Sequence, residues 1–170
     1  TLLAPRPPAP YLSSMREAEA RVAVAEICRR MVARGLIAAA DGNVSVRLGK
    51  TRMLVTPSGM SKGFLKPEDM VVTDMAGRKV SGPGRPTAEI RMHVLVYAER
   101  PEIGAIVHGH PPIATALALA GESLERCVLP ESALVLGAVP TAPYTTPFTD
   151  EVAATLQALV RFSNAIVMDR

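Results

Sequence analysis

The stretch IGAIVHGHPP, residues 103–112, carries two of the three histidines in the chain, and its reading fixes how the neighbouring segments are placed. Apolar, partly β-branched residues from Ile103 to Val107 predict a strand that ends in His108-Gly109-His110. Pro111-Pro112 then opens a helix to about Ala120, since proline is tolerated in a first helical turn. Residues i and i+2 of a strand project to the same face, so both imidazoles can reach one point, as a divalent metal of borderline softness requires. A pair of core or surface histidines is the plainer reading of the same spacing. The position at a strand end, beside a helix start, favours the metal.

Ile103 to Gly121 is also the longest run without Asp, Glu, Lys or Arg. A membrane-spanning helix needs ~20 predominantly apolar residues without breaks. Two histidines, two prolines and many alanines exclude that here.

Upstream, SGPGRP at 81–86 reads as a loop, and Thr87 as the N-cap of a helix from Ala88 to about Ala98. Glu89 would lie in its first turn, where the helix dipole stabilises a carboxylate that can project into a cleft. Beside a metal it could be ligand, general base, or both in alternation; alone it would read as a solvated glutamate. His93, four residues on, reads as a helical partner on a surface or packing position. Three small-residue turns, Gly42-Asn43, Ser58-Gly59 and Thr87-Ala88, offer backbone N–H groups and hydroxyls to an anion such as phosphate or carboxylate.

The N-terminal half reads as a helix from Met15 to Arg34 stopped by Gly35, then strands over Asn43–Arg47, Arg52–Thr56 and Val71–Thr73. Beyond the histidines, Val135–Val139 reads as a strand, Thr149-Asp150 as the start of a helix to about Val160, and Ala165–Met168 as a last strand. Strands and helices mix without a strict β-α-β rhythm or an internal repeat. A final strand with no closing element predicts a parent protein that continues past Arg170.

The chain has 170 residues, 48% hydrophobic and 21% charged, with a net charge of +3. That supports one domain with a sizeable core and excludes a disordered or collagen-like chain. The charges form no basic stripe, which argues against nucleic acid. Cys28 and Cys127 build no disulfide framework, so a reducing cytoplasm is the expected setting. Residues 1–14, TLLAPRPPAPYLSS, lack the n- and h-regions of a signal peptide and read as a Pro-rich flexible leader to a single domain over 15–170.

GNVSVR at 42–47, TPSGM at 56–60, RPTAE at 85–89 and VHGHPP at 107–112, in that order, resemble the class II aldolase/adducin family, and APYTTP near Tyr144 extends the likeness. The resemblance implies a three-layer α/β/α domain with a central, mostly antiparallel sheet. It implies a divalent metal, Zn2+ foremost, on His108, His110 and a third histidine beyond Arg170. Glu89 would be a ligand in the resting site and the proton-transferring base when substrate displaces it. Gly42, Asn43, Ser58, Gly59 and Thr87 would hold a substrate phosphate, and active sites would lie between the subunits of a homotetramer. The implied activity is that of a metal-dependent lyase cleaving or forming a C–C bond beside a carbonyl through an enediolate, on a sugar phosphate or related hydroxyketone. Thr87-Ala88 replaces a common serine pair, and Ala40 replaces a threonine, which leaves unphosphorylated substrates open. Epimerisation or decarboxylation on the same site, and a non-catalytic adducin-like interaction domain, are the alternatives.

Overall fold

The computed structural model describes residues 15–125, 130–146 and 149–169. The proline-rich leader, Cys127 and Arg170 lie outside the described residues.

Helix α1 (Glu17–Ala33) begins with a reciprocal pairing of Arg16 and Glu19. It ends at Gly35, whose N–H bonds Val32 O while Leu36 N–H bonds Met31 O. This double closure satisfies the last helical carbonyls and turns the chain toward the sheet. Strands β1 (Asn43–Leu48), β2 (Arg52–Val55) and β3 (Val71–Asp74) follow, then β4 (Lys79–Ser81). Short 3-10 turns at Lys62–Phe64 and Pro67–Asp69 separate β2 from β3. Helix α2 (Ile90–Glu99) leads to β5 (Ala105–His108) and α3 (Pro112–Leu119). The C-terminal part holds α4 (Pro130–Val135), β6 (Thr141–Ala142), α5 (Asp150–Val160) and β7 (Val167–Met168).

Five strands form one antiparallel sheet in the order β4-β3-β2-β1-β5, and β6 pairs with β7 in parallel. Both faces of the sheet are covered, so its middle strands are apolar at successive positions rather than alternating. Leu54 and Val72 join Val24, Cys28 and Met31 of α1 on one face. Met53, Val55 and Val71 point the other way, against Tyr97, Ile90 and Val94 of α2. Helix α2 turns its opposite side to α5 through Met92, Leu156 and Val160. The result is the expected α/β architecture, a mostly antiparallel central sheet flanked by helices. Among the described residues, no helix is long and apolar enough to cross a membrane.

Two expectations change. Val135–Val139 is not a strand: Leu136 and Gly137 both bond back to Ser132 O, so the segment is the end of α4 and its exit. Pro130 at the helix start and Gly137 just past its end outweigh the β-branched and apolar residues of the segment. Strand β4 was hidden in a segment too short and polar to register, because it pairs only at the sheet edge with a register shift at Val72/Thr73.

Leu54 is fully buried between β1 and β3. Leu54→Ala should cost about 2–5 kcal/mol, read from urea unfolding of the wild type and the variant, because the rigid layers around it cannot close the void. A loss under about 1 kcal/mol would contradict the packing described.

Candidate functional site

The register of β1 against β5 builds the site. Asn43 lies directly opposite His108, and Ser45 opposite Ile106. Cross-strand partners share a face, so the side chains of Asn43, Ser45 and His108 all point to the layer occupied by α2. That helix starts at Ile90 with Glu89 as its N-cap, two positions later than the sequence suggests, and Thr87 lies outside it. Thr87 Oγ1 accepts the Glu89 N–H at 3.3 Å and its carbonyl accepts the Ile90 N–H.

Two glycines let the backbone crowd beneath this point. Gly42 has φ +66°, and a Cβ there would sit 2.6 Å from Ile37 Cγ2 and 2.7 Å from the His108 carbonyl oxygen. A Cβ on Gly109 would meet Met31 Cε at 3.1 Å and Leu36 O at 3.2 Å. His110 N–H donates to that same Leu36 carbonyl at 2.8 Å, so the end of α1 clamps the histidine pair.

The side chains converge. His108 Nε2 lies 3.5 Å from Glu89 Oε2 and 3.1 Å from His110 Nε2, with the two rings edge to face. All three residues line one cavity of about 480 Å³. Asp41, Arg91, Tyr144 and Asp169 share its wall, and Ala142, Val152, Leu156 and Met168 make an apolar side. Asn43 Nδ2 donates to Glu89 Oε2 at 2.5 Å. The remaining expected residues divide. Gly42 is buried under His108, whereas Ser58, Gly59 and Thr87 are outside the cavity lining and belong to a neighbouring loop pair. There Ser58 N–H bonds Arg85 O, Thr87 N–H bonds Thr56 O, and Pro57 bridges Pro86.

Among the described residues, no group of three or more His, Cys, Asp or Glu side chains is placed to hold a metal ion. What His108, His110 and Glu89 supply is an open arc. Donor atoms at zinc bond lengths of ~2.0–2.1 Å stand about 3.3–3.4 Å apart around a tetrahedron. The two separations above bracket that value, and the donor set of two imidazoles and one carboxylate suits a borderline divalent ion. Two of the donor separations, both measured from His108, therefore suit such an ion, and the chemistry of the three side chains is that of a borderline divalent site.

Two contributors escaped sequence reasoning. His93 is fully buried. Its Nε2 is 2.5 Å from Asn43 Oδ1 and its Nδ1 is 2.7 Å from Ser45 Oγ, which is in turn 2.9 Å from Tyr97 Oη. The His93–Glu89 link thus runs through Asn43. The i, i+4 spacing of Glu89, His93 and Tyr97 against the i, i+2 spacing of Asn43 and Ser45 was a usable signal, once strand and helix are known to face each other. Lys62 is the second: only 2% exposed, it gives Nζ hydrogen bonds to Ala40 O at 2.8 Å and Met60 O at 3.0 Å. Burial pulls its ammonium below the usual lysine range, opposed by Cys28, Asp41 and Glu89. A lysine in a polar loop carries no sequence mark of such burial.

Comparison with known proteins gives the family and the fold. The family model for the class II aldolase and adducin N-terminal domain matches residues 22–170. A methylthioribulose-1-phosphate dehydratase of Granulibacter bethesdensis is 42% identical over 101 residues, 59% of this chain and 47% of that protein. An L-fuculose phosphate aldolase of Methanococcus maripaludis is 34% identical over 119 residues, 70% and 64% of the two chains. The crystal structure of the L-fuculose-1-phosphate aldolase of Thermus thermophilus superimposes with a TM-score of 0.76 at 31% identity, covering 88% of this chain and 75% of that one. The chain spans about half the length of the curated dehydratases it matches.

Burial lowers the His93 pKa from 6.5 to about 3, with the nearby His108 adding to the effect. Between those values the unfolded chain binds a proton that the folded protein refuses, so stability falls as pH drops through this window, by about 1.4 kcal/mol per unit at most. Carboxylates also titrate there, so the check is the difference between wild type and His93→Gln in urea midpoints from pH 6.5 to 4.5. The variant should show the shallower decline.

Proposed function

Since the chain belongs to the class II aldolase and adducin family, we propose that it is the catalytic domain of a lyase that moves a proton at a carbon beside a carbonyl, on a sugar phosphate or related hydroxyketone. The observation that carries this reading is the convergence of Glu89 Oε2 and His110 Nε2 on His108 Nε2, at 3.5 and 3.1 Å, on the wall of one cavity.

Glu89 is the base. It stands at a helix N-terminus, is 24% exposed in its side chain, and takes a hydrogen bond from Asn43 on one oxygen, so it is held while still reaching substrate. It can take a proton from the reacting carbon and return it to the product, a role worth about 10²–10⁴-fold in rate. A divalent ion on His108, His110 and Glu89, Zn2+ foremost, would supply positive charge where negative charge develops beside the carbonyl. Asn43 and the tightly turned backbone at Gly42 lie behind the cavity wall, where they hold Glu89 and His108 in place. Ser58, Gly59 and Thr87, on the adjoining loop pair, take the anionic end if the substrate spans the rim.

Cleavage of a C–C bond is the first reading, in line with the aldolases among the relatives. Loss of water is the second, and two observations favour it: the higher identity to a dehydratase, and the apolar wall of Ala142, Val152, Leu156 and Met168, which suits a substrate with an apolar tail. Both use proton transfer at the carbon beside the carbonyl: cleavage delivers a proton there after the C–C bond breaks, whereas water loss removes one before the hydroxyl departs. Assembly as a homotetramer belongs to this proposal, supported by large exposed apolar residues at Val107, Ile113, Leu134 and Val135; sedimentation of the full-length protein measures it. A cytoplasmic setting rests on the scarcity of cysteine. A non-catalytic, adducin-like scaffold would have no use for the acid and both imidazoles.

In the full-length protein, Glu89→Gln should lower turnover at least ~10²-fold at saturating divalent metal, assayed with L-fuculose 1-phosphate and 5-methylthioribulose 1-phosphate. Release of an aldehyde identifies C–C cleavage, and formation of a dehydrated ketone identifies water loss. Full turnover by the variant would remove Glu89 from proton transfer. Metal analysis decides against the scaffold: about one divalent ion per chain is expected, with activity lost to chelator and restored by zinc.

A further inference from the structure

We infer that His93 is a positioning residue for Glu89, acting through a hydrogen-bond chain of fixed direction that runs Tyr97, Ser45, His93, Asn43, Glu89. This rests on the reading of Glu89 as the base, which by itself requires nothing of the residues behind Asn43.

Geometry makes the chain. Two residues of strand advance about 6.6 Å and four residues of helix about 6 Å, so Asn43 and Ser45 of β1 keep step with Glu89, His93 and Tyr97 of α2. Four consecutive contacts of 2.5, 2.5, 2.7 and 2.9 Å link the five side chains. Asn43, Ser45, His93 and Tyr97 are 3%, 0%, 0% and 2% exposed, so no bulk water competes for their polar atoms.

Chemistry gives it a direction. A carboxylate accepts and an amide nitrogen donates, so Asn43 must turn its NH2 to Glu89 and its carbonyl oxygen to His93. That oxygen only accepts, so His93 must carry its proton on Nε2. The ring stays neutral in its buried position, with burial holding its pKa near about 3, so Nδ1 has no proton and accepts from Ser45 Oγ. The Ser45 hydroxyl, having given its proton, accepts from the Tyr97 phenol. Burial raises the Tyr97 pKa to about 12, which keeps that donor in place. Arg47 anchors the far end, 4.6 Å above the Tyr97 ring and bonded to the Tyr97 carbonyl at 2.9 Å. Reversing any single group in the middle of the chain would oppose two donors or two acceptors inside the core.

The consequence for the site lies in the Asn43 amide. Facing Glu89 alone, it could rotate; tied on its oxygen by His93 Nε2–H, it presents its NH2 to one carboxylate oxygen and leaves the other for substrate.

The test uses the full-length, metal-loaded protein. Two-bond 15N–1H correlation spectra should show His93 neutral near pH 7 with its proton on Nε2. A proton on Nδ1, or a ring averaging between tautomers, would overturn the chain. His93→Leu removes the donor and should lower kcat by about 10–100-fold with little change in KM, the scale found for groups that orient a functional side chain. His93→Gln keeps an N–H for Asn43 and should recover a substantial part of that loss. Equal loss in the two variants, with both melting cooperatively, would reduce His93 to core packing and overturn the proposal. Failure of the underlying reading is separately visible: if Glu89→Gln retained turnover, the positioning role would fall with the base even where the His93 proton is found on Nε2.

Discussion

The antiparallel pairing of β1 with β5 is the constraint on which the rest depends. It sets Asn43 against His108, and since a one-residue slip would turn every side chain to the opposite face, the site exists only in this register. The register is held from both sides. Val44 and Val46 must face α1 to fill that core, and Ile106 must face α2. Hydrophobic packing several residues away thus decides where an imidazole and an amide meet a carboxylate.

Helix α2 carries a second constraint. It is sandwiched, with Tyr97, Ile90 and Val94 toward the sheet and Met92, Leu95 and Val96 toward α5. A helix buried on two sides has little freedom to roll, and Glu89 is at its very start, so packing along its length is converted into a fixed position for one side chain. Where α2 faces β1, the polar side chains of Asn43, Ser45, His93 and Tyr97 satisfy one another. That is the condition under which buried polarity specifies an arrangement instead of weakening it.

Much of the plan was readable from residues alone. Helix α1 with its glycine stop, the strands around Val46, Leu54 and Val72, and the histidine strand all carry strong local patterns, and the four motifs in order point to the family. Glu89, His108 and His110 were legible because histidine is scarce and HxH on a strand has an unambiguous facing rule. His93 and Lys62 were not, because their roles come from tertiary neighbours. A buried histidine at helical spacing looks the same as one that merely packs until Ser45 and Asn43 are seen across from it. The segment at Val135 misled because a few branched residues imitate a strand, and only the terminal proline and glycine betray the helix. Thr87 was displaced from its expected cap because its hydroxyl serves the Glu89 N–H in a tight turn before the helix begins.

Lys62 adds a mechanical property to the rim of the cavity. Its backbone N–H holds Ala39 O at 2.8 Å, where Ala39 sits at φ +44°, and its side chain holds Ala40 O and Met60 O. A left-handed alanine costs roughly 1–2 kcal/mol, so the 38–42 segment keeps its shape by being fastened, and the fastener is a single ammonium shared with the loop that follows β2. The two loops are in effect riveted together. Neither can swing without dragging the other, and the cavity wall at Asp41 is carried on that stiffened edge.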